Sequence, residues 1–223
     1  MTQNIRTSEG AGLARFLHLL VAVLALGGFG IELVVALTGG PGLAPTHAER
    51  IVRLFSYFTI QSNLLIGGVS VALALDPRRD GPVFRVLRLD ALLCIAVTGI
   101  VYNTVLRGLV ELTGAGMVSN AMLHVLAPVF AVVAWLLVGP RPRVAGRTVW
   151  WSVVYPIAWL VYTFVRGAVT GWYPYPFLDV NELGYAGAVT NAAIVAVVFL
   201  VLAWGVRWAD GRLPDTDRSV ART

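Results

Sequence analysis

Six long apolar stretches, separated by short polar ones, dominate the chain: Arg15–Thr38, Leu54–Leu75, Leu89–Leu112, Ser119–Val138, Thr148–Ala168 and Gly187–Trp208. Each is close to the roughly 20 residues an α-helix needs to cross a bilayer. The ten-residue alternating segments of a β-barrel are missing. The connections are too short to hold a separate soluble domain. The pattern therefore predicts an all-α polytopic membrane protein, a bundle of six transmembrane helices over residues 15–208. Residues 1–14 form an N-terminal segment, and 209–223 a polar tail expected to lack fixed structure. The first apolar run, Phe16 to Leu37, exceeds the roughly 7–15 residues of a signal-peptide core and carries Glu32. It reads as a retained helix.

Composition agrees with this reading. Of the 223 residues, 57% are hydrophobic and only 13% charged, against about 25% charged in soluble domains. The net charge of +5 comes without a single lysine. Thirteen of the 17 arginines lie in the N-terminal segment, the second and fourth connections and the tail. The third and fifth connections have none. Cytoplasmic loops carry the excess of positive charge, so both termini are expected in the cytoplasm. The basic balance thus reports topology and not nucleic-acid binding, and the location expected is the inner (plasma) membrane. Cys94 is the sole cysteine, which excludes an intrachain disulfide.

Topology gives the polar residues a common depth. Alternating span direction puts Thr59 and Asn63, Asn103 and Arg107, Asn120 and His124, Tyr162 and Arg166, and Asn191 in the outer half. Glu32 closes the first span at the same level. The inner halves read as nearly all apolar. Helical spacing groups Thr59, Ser62 and Asn63 on one face, with Gln61 pointing elsewhere. Asn103, Arg107 and Glu111 share another face, and Tyr155, Trp159, Tyr162 and Arg166 a third. Such faces turn inward, since unpaired polar groups in hydrocarbon are costly. A polar chamber near the outer surface is expected. The tripeptides "QSN", "VSN" and "VTN" open the descending spans. They suggest three repeated helix hairpins with Asn63, Asn120 and Asn191 around one chamber.

A hydroxyl becomes a nucleophile when a neighbouring base accepts its proton. Thr59 and His124 are the best such pair, with asparagines and arginines available to contact a carbonyl or oxyanion. No G-x-S-x-G elbow and no H-E-x-x-H pattern occur. A metal held by His124, His47, Glu32, Asp179 and Glu182 is weakly supported, so neither metal nor cofactor is expected. Bland readings stand beside these. Ser62, Ser119 and Thr190 suit interhelical hydrogen bonding. Arg107 and Glu111 suit a structural ion pair. The aromatic loop "GWYPYPFLDVNELG" suits an interfacial belt, or a lid over the chamber.

The six-span layout, "FTIQSN" early in the second span and "NAMLH" in the fourth together resemble the androgen-induced and androgen-dependent membrane proteins. The likeness is closer to their bacterial six-helix relatives. Eukaryotic members are threonine hydrolases of fatty acid esters of hydroxy fatty acids. The resemblance implies Thr59 as nucleophile and His124 as general base. Asn63, Asn103, Arg107, Asn120, Tyr162, Arg166 and Asn191 are then the candidate substrate contacts, with membrane lipid and a lipid-like ester as partners. The rival readings are a lipid or small-anion binding or transport protein using the same chamber, and a structural subunit.

Overall fold

A computed structural model describes residues 2–39, 44 and 46–214, with side chains from residue 10 onward. It is all-α. The helices are α1 (Thr2–Thr38), α2 (His47–Ser56), α3 (Phe58–Leu75), α4 (Pro82–Val101), α5 (Ala115–Ala121), α6 (Ala127–Val138), α7 (Gly146–Ser152), α8 (Val154–Thr170) and α9 (Val180–Asp210). A π-helical turn, Tyr102–Leu106, prolongs α4, and another, Met122–Leu126, joins α5 to α6. Six rods are long and apolar enough to cross a membrane: Gly10–Thr38, Phe58–Leu75, Pro82–Leu106, Ala115–Val138, Gly146–Thr170 and Val180–Asp210. The short α2 is a seventh helix outside them. The expected unstructured tail lies, beyond residue 214, outside the described residues.

Several boundaries differ from the hydrophobic pattern, each for a local reason. Leu54 to Ser56 belong to α2, because Tyr57 (φ −68°, ψ 128°) breaks the helix before α3 begins. Thr46 caps α2 by accepting the Glu49 N–H at 3.1 Å, the T-x-x-E arrangement of a capping box. The third span starts at Pro82, a residue suited to a first helical turn. It stops at Leu106, and Gly108 follows at φ +87°. Glu111 therefore lies past the helix end and shares no helical face with Asn103. In the last span the helix begins at Val180 and is interrupted at Gly184 (φ 65°).

α4 sits at the centre. Ala91, Leu93, Cys94 and Ile95 are fully buried. One side packs with Val21 and Ala25 of α1, Ile66 and Val69 of α3 and Ala127 and Ala131 of α6. The other meets Val149 of α7 and Phe199 and Ala203 of α9. Leu13, Phe16, Leu19 and Val23 on α1, and Val189, Ile194, Val197 and Val201 on α9, stay exposed, as lipid-facing side chains must be. The half of the bundle remote from Thr59 is less apolar than the sequence pattern suggests. His18, Ser70 and Arg88 line a small cavity of about 30 Å³, and Asp90 is buried beside Cys94 on α4.

Candidate functional site

Thr59 stands in the first turn of α3, where backbone N–H groups lack intrahelical acceptors. Its N–H donates instead to the Tyr175 hydroxyl at 3.1 Å. The same hydroxyl lies 3.1 Å from Thr59 Oγ1. His124 Nε2 lies 3.3 Å from Thr59 Oγ1, long for a hydrogen bond, as catalytic contacts often are without substrate. These contacts fit one proton arrangement. Tyr175 oxygen accepts from the Thr59 amide, so its own proton can go to Oγ1. The Thr59 hydroxyl proton is then directed at Nε2.

The histidine is placed by backbone, not by a carboxylate. It lies in the Met122–Leu126 π turn, where lengthened hydrogen bonding loosens the carbonyl ladder. Asparagines from two other helices take up these carbonyls. Asn63 Nδ2 donates to Leu123 O at 3.2 Å and to Thr59 O at 2.8 Å. Asn103 Nδ2, in the other π turn, donates to His124 O at 3.3 Å and to Gly99 O at 2.8 Å. Two glycines allow the close packing this needs. A β-carbon on Gly28 would lie 2.8 Å from Leu123, and one on Gly99 2.8 Å from Pro128. The imidazole stacks on Tyr102, with ring centroids 4.3 Å apart and planes at 27°. Asn120 Nδ2 donates to the Tyr102 hydroxyl at 2.7 Å. His124 Nδ1 is buried with no hydrogen-bond partner among the described residues.

Two cavities meet at Thr59 and Tyr175. One, of about 370 Å³, holds Glu32, Arg50, Arg53, Tyr102, Asn120 and His124 among its lining. The other, of about 240 Å³, is lined almost wholly by apolar side chains, most of them from α4, α8 and α9, with others from α3, α7 and the aromatic loop. Arg50 is notable in the larger cavity: its Nε and Nη1 are buried without a partner among the described residues.

The remaining expected residues are distributed around this centre. Ser119 donates to Glu32, tying α5 to α1. Arg107 extends back to Asn103 Oδ1 at 3.3 Å; it is exposed and makes no ion pair with Glu111 among the described residues. Tyr162 shares a hydrogen bond with Ser56 Oγ at 2.7 Å, and Trp159 donates to Ser56 O at 3.0 Å. Tyr155 donates to Gln61 at 2.8 Å. The α8 stripe thus packs on α2 and the start of α3. Arg166 binds Glu49 at 2.8 Å, and Arg53 binds the same oxygen at 2.8 Å. Both guanidinium groups flank Trp172, at 4.7 and 5.0 Å from its ring centroid. The two arginines hold the Glu49 carboxyl below its usual range. Asn191 Nδ2 donates to Phe177 O at 3.0 Å, so it secures the aromatic loop while Asn63 and Asn120 stand at the histidine.

Tyr175 and Arg50 are not among the candidate site residues that the sequence pattern picks out. The aromatic loop suits a belt or a lid, and within it Tyr175 is buried with its ring stacked on Phe177. The available signal was the paired prolines of "YPYPF", which restrict the backbone on both sides of the tyrosine. No group of three or more His, Cys, Asp or Glu side chains able to hold a metal occurs among the described residues.

Comparison of the chain with family models, with curated proteins and with solved structures gives no match. The likeness to the androgen-induced proteins rests on "FTIQSN", "NAMLH" and the six-span layout.

Proposed function

We propose that the protein is an intramembrane hydrolase of lipid esters, with Thr59 as nucleophile and His124 as general base. The observation that carries this reading is the Thr59–His124 hydrogen bond, with Thr59 lining both an apolar cavity and a second cavity that carries the polar groups Glu32, Arg50, Asn120 and His124. An ester of a long-chain acid needs both environments at its reacting carbon. Thr59 Oγ1 attacks the carbonyl carbon as its proton passes to His124 Nε2. The tetrahedral intermediate collapses, the bond to the alcohol oxygen breaks, and His124 returns the proton to that oxygen. Water then attacks the acyl-threonine, giving a proton to His124, and the acid departs as Thr59 recovers its hydrogen. The Tyr175 hydroxyl and the positive end of the α3 dipole favour the developing negative charge.

The contacts first assigned to Arg107 and Arg166 pass to Arg50 in this reading. Arg166 pairs with Glu49 through Nη2 and does not line the cavity, whereas Arg50 lines it with Nε and Nη1 buried and unpartnered among the described residues. An anionic group on the alcohol side of the ester would satisfy them. The arginine distribution supports cytoplasmic termini and a chamber in the outer half of the membrane.

A second reading, a binding protein for a lipid or small anion, is favoured by the same arginine and by the lack of an acidic partner for His124. Turnover of a long-chain ester by purified protein separates the two. Thr59→Ala and His124→Ala should each abolish it while leaving the fold intact. Full turnover in either variant refutes the hydrolase.

A further inference from the structure

The apolar cavity has a direction. Thr59 and Tyr175 close one end, and Trp150 stands at the other, with Ile157 of α8 and Val195 and Phe199 of α9 between. It keeps α8 and α9 apart along its length. Its lining residues on α9 run from Ala192 to Leu200, which is about 12 Å at 1.5 Å per residue. An extended zigzag chain advances about 1.2 Å per bond, taking a residue's reach over its three backbone bonds. The space therefore accepts about ten carbons in line, the first of them at Thr59.

The cavity is not sealed from the membrane. Trp150 and Ile157 line it and are nevertheless 59% and 54% exposed. Ala196 also lines it and is exposed. All three sit on the outer surface of the bundle, which faces lipid. Beyond Thr59 and Tyr175, the side-chain hydroxyl in the lining is that of Thr98, whose Oγ1 is buried without a partner among the described residues. A polar ligand would lose its hydration there and find almost nothing in exchange.

From these observations we infer that the cleft between α8 and α9 is the acyl-chain site, entered sideways from the bilayer. A single unbranched hydrocarbon chain lies in it with its carbonyl at Thr59, and the alcohol half occupies the polar cavity beneath α2. The assignment of the carbonyl rests on the hydrolase reading; the occupancy of the cleft by a chain does not. A chain moving from lipid into this cleft exchanges one hydrocarbon environment for another, so entry gains little free energy. The cleft selects by shape.

The test uses the full chain in phosphatidylcholine vesicles and a long-chain fatty acid carrying a diazirine at mid-chain. After photolysis, mass spectrometry should find the label on cleft residues such as Val153, Val195 and Phe199. Ala196→Trp, which fills the cleft from an already exposed position, should remove that label. It should also lower turnover of a long-chain ester about tenfold or more, the scale on which a pocket rejects a misfitting chain, while acetate-ester turnover persists. Label confined to outward residues such as Val197 and Val201, equally in both proteins, overturns the acyl site. Cleft labelling without Thr59-dependent turnover would uphold the site and sink the hydrolase.

Discussion

Removing one oxygen atom tests the proposed proton arrangement most directly. Tyr175→Phe keeps the ring, which stacks on Phe177 at 5.3 Å and meets Tyr57 and Trp159 edge-on or tilted at 5.7 and 6.0 Å. Packing should survive. Lost are an acceptor for the Thr59 amide and a donor to Thr59 Oγ1. Leaving a buried polar group unsatisfied costs about 1–3 kcal/mol. Applied to the threonine whose hydroxyl must point at His124, the same range corresponds to a fall in kcat of roughly 5- to 150-fold. KM should change little, because the hydroxyl touches the nucleophile and not the bulk of the ester. The assay is turnover of a long-chain chromogenic ester by purified protein in nanodiscs, with thermal unfolding followed in parallel. An unchanged kcat in folded Tyr175→Phe would refute the role given to this hydroxyl. A raised KM with unchanged kcat would make it a binding group instead.

Two other perturbations probe the structure around the site. Gly167→Ala would put a methyl 2.0 Å from the Tyr173 ring; overpacking of this kind costs about 1–3 kcal/mol, so the variant should unfold at lower temperature and expose the aromatic loop to protease. Glu49, held low by Arg53 and Arg166, tethers α2 to α8. Its stabilisation is present above the ordinary carboxyl value of 4.5 and is lost as pH falls through the lower folded value. Cysteine-reporter fluorescence on α2 should therefore stay constant from neutral pH to below 4.5 and change only in stronger acid; a transition near pH 6 would show that another group holds α2.

What the sequence disclosed followed from depth and periodicity. Hydropathy and arginine placement located six spans, and direction alone placed Thr59 and His124 at one level, where they touch. Depth says nothing about rotation, however. Neither π turn has a hydrophobic signature, so the backbone carbonyls taken up by Asn63 and Asn103 were invisible. Glu111 was placed on a helix because apolar residues continue to Leu112, while Gly108 ends the helix sooner. Tyr175 arrives from a connection, and its route into the bundle depends on tertiary packing. Asp90 is hidden among apolar neighbours, since a single polar side chain barely alters a long hydrophobic window.

The paired π turns carry a consequence for how this site tolerates change in length. A π turn holds one residue more than the α-helix it interrupts, so the chain around His124 is an α-helix with an insertion. Deleting any residue of 122–126 would restore regular hydrogen bonding and improve the local helix. Because the π turn absorbs its extra residue locally, the helix beyond would keep its place, while the side chains of the turn itself would be re-aimed, each helical position being about 100° from the next. Pro128 would keep its seat against Gly99, but the imidazole would leave its place over Tyr102. The more regular helix would have no histidine at Thr59.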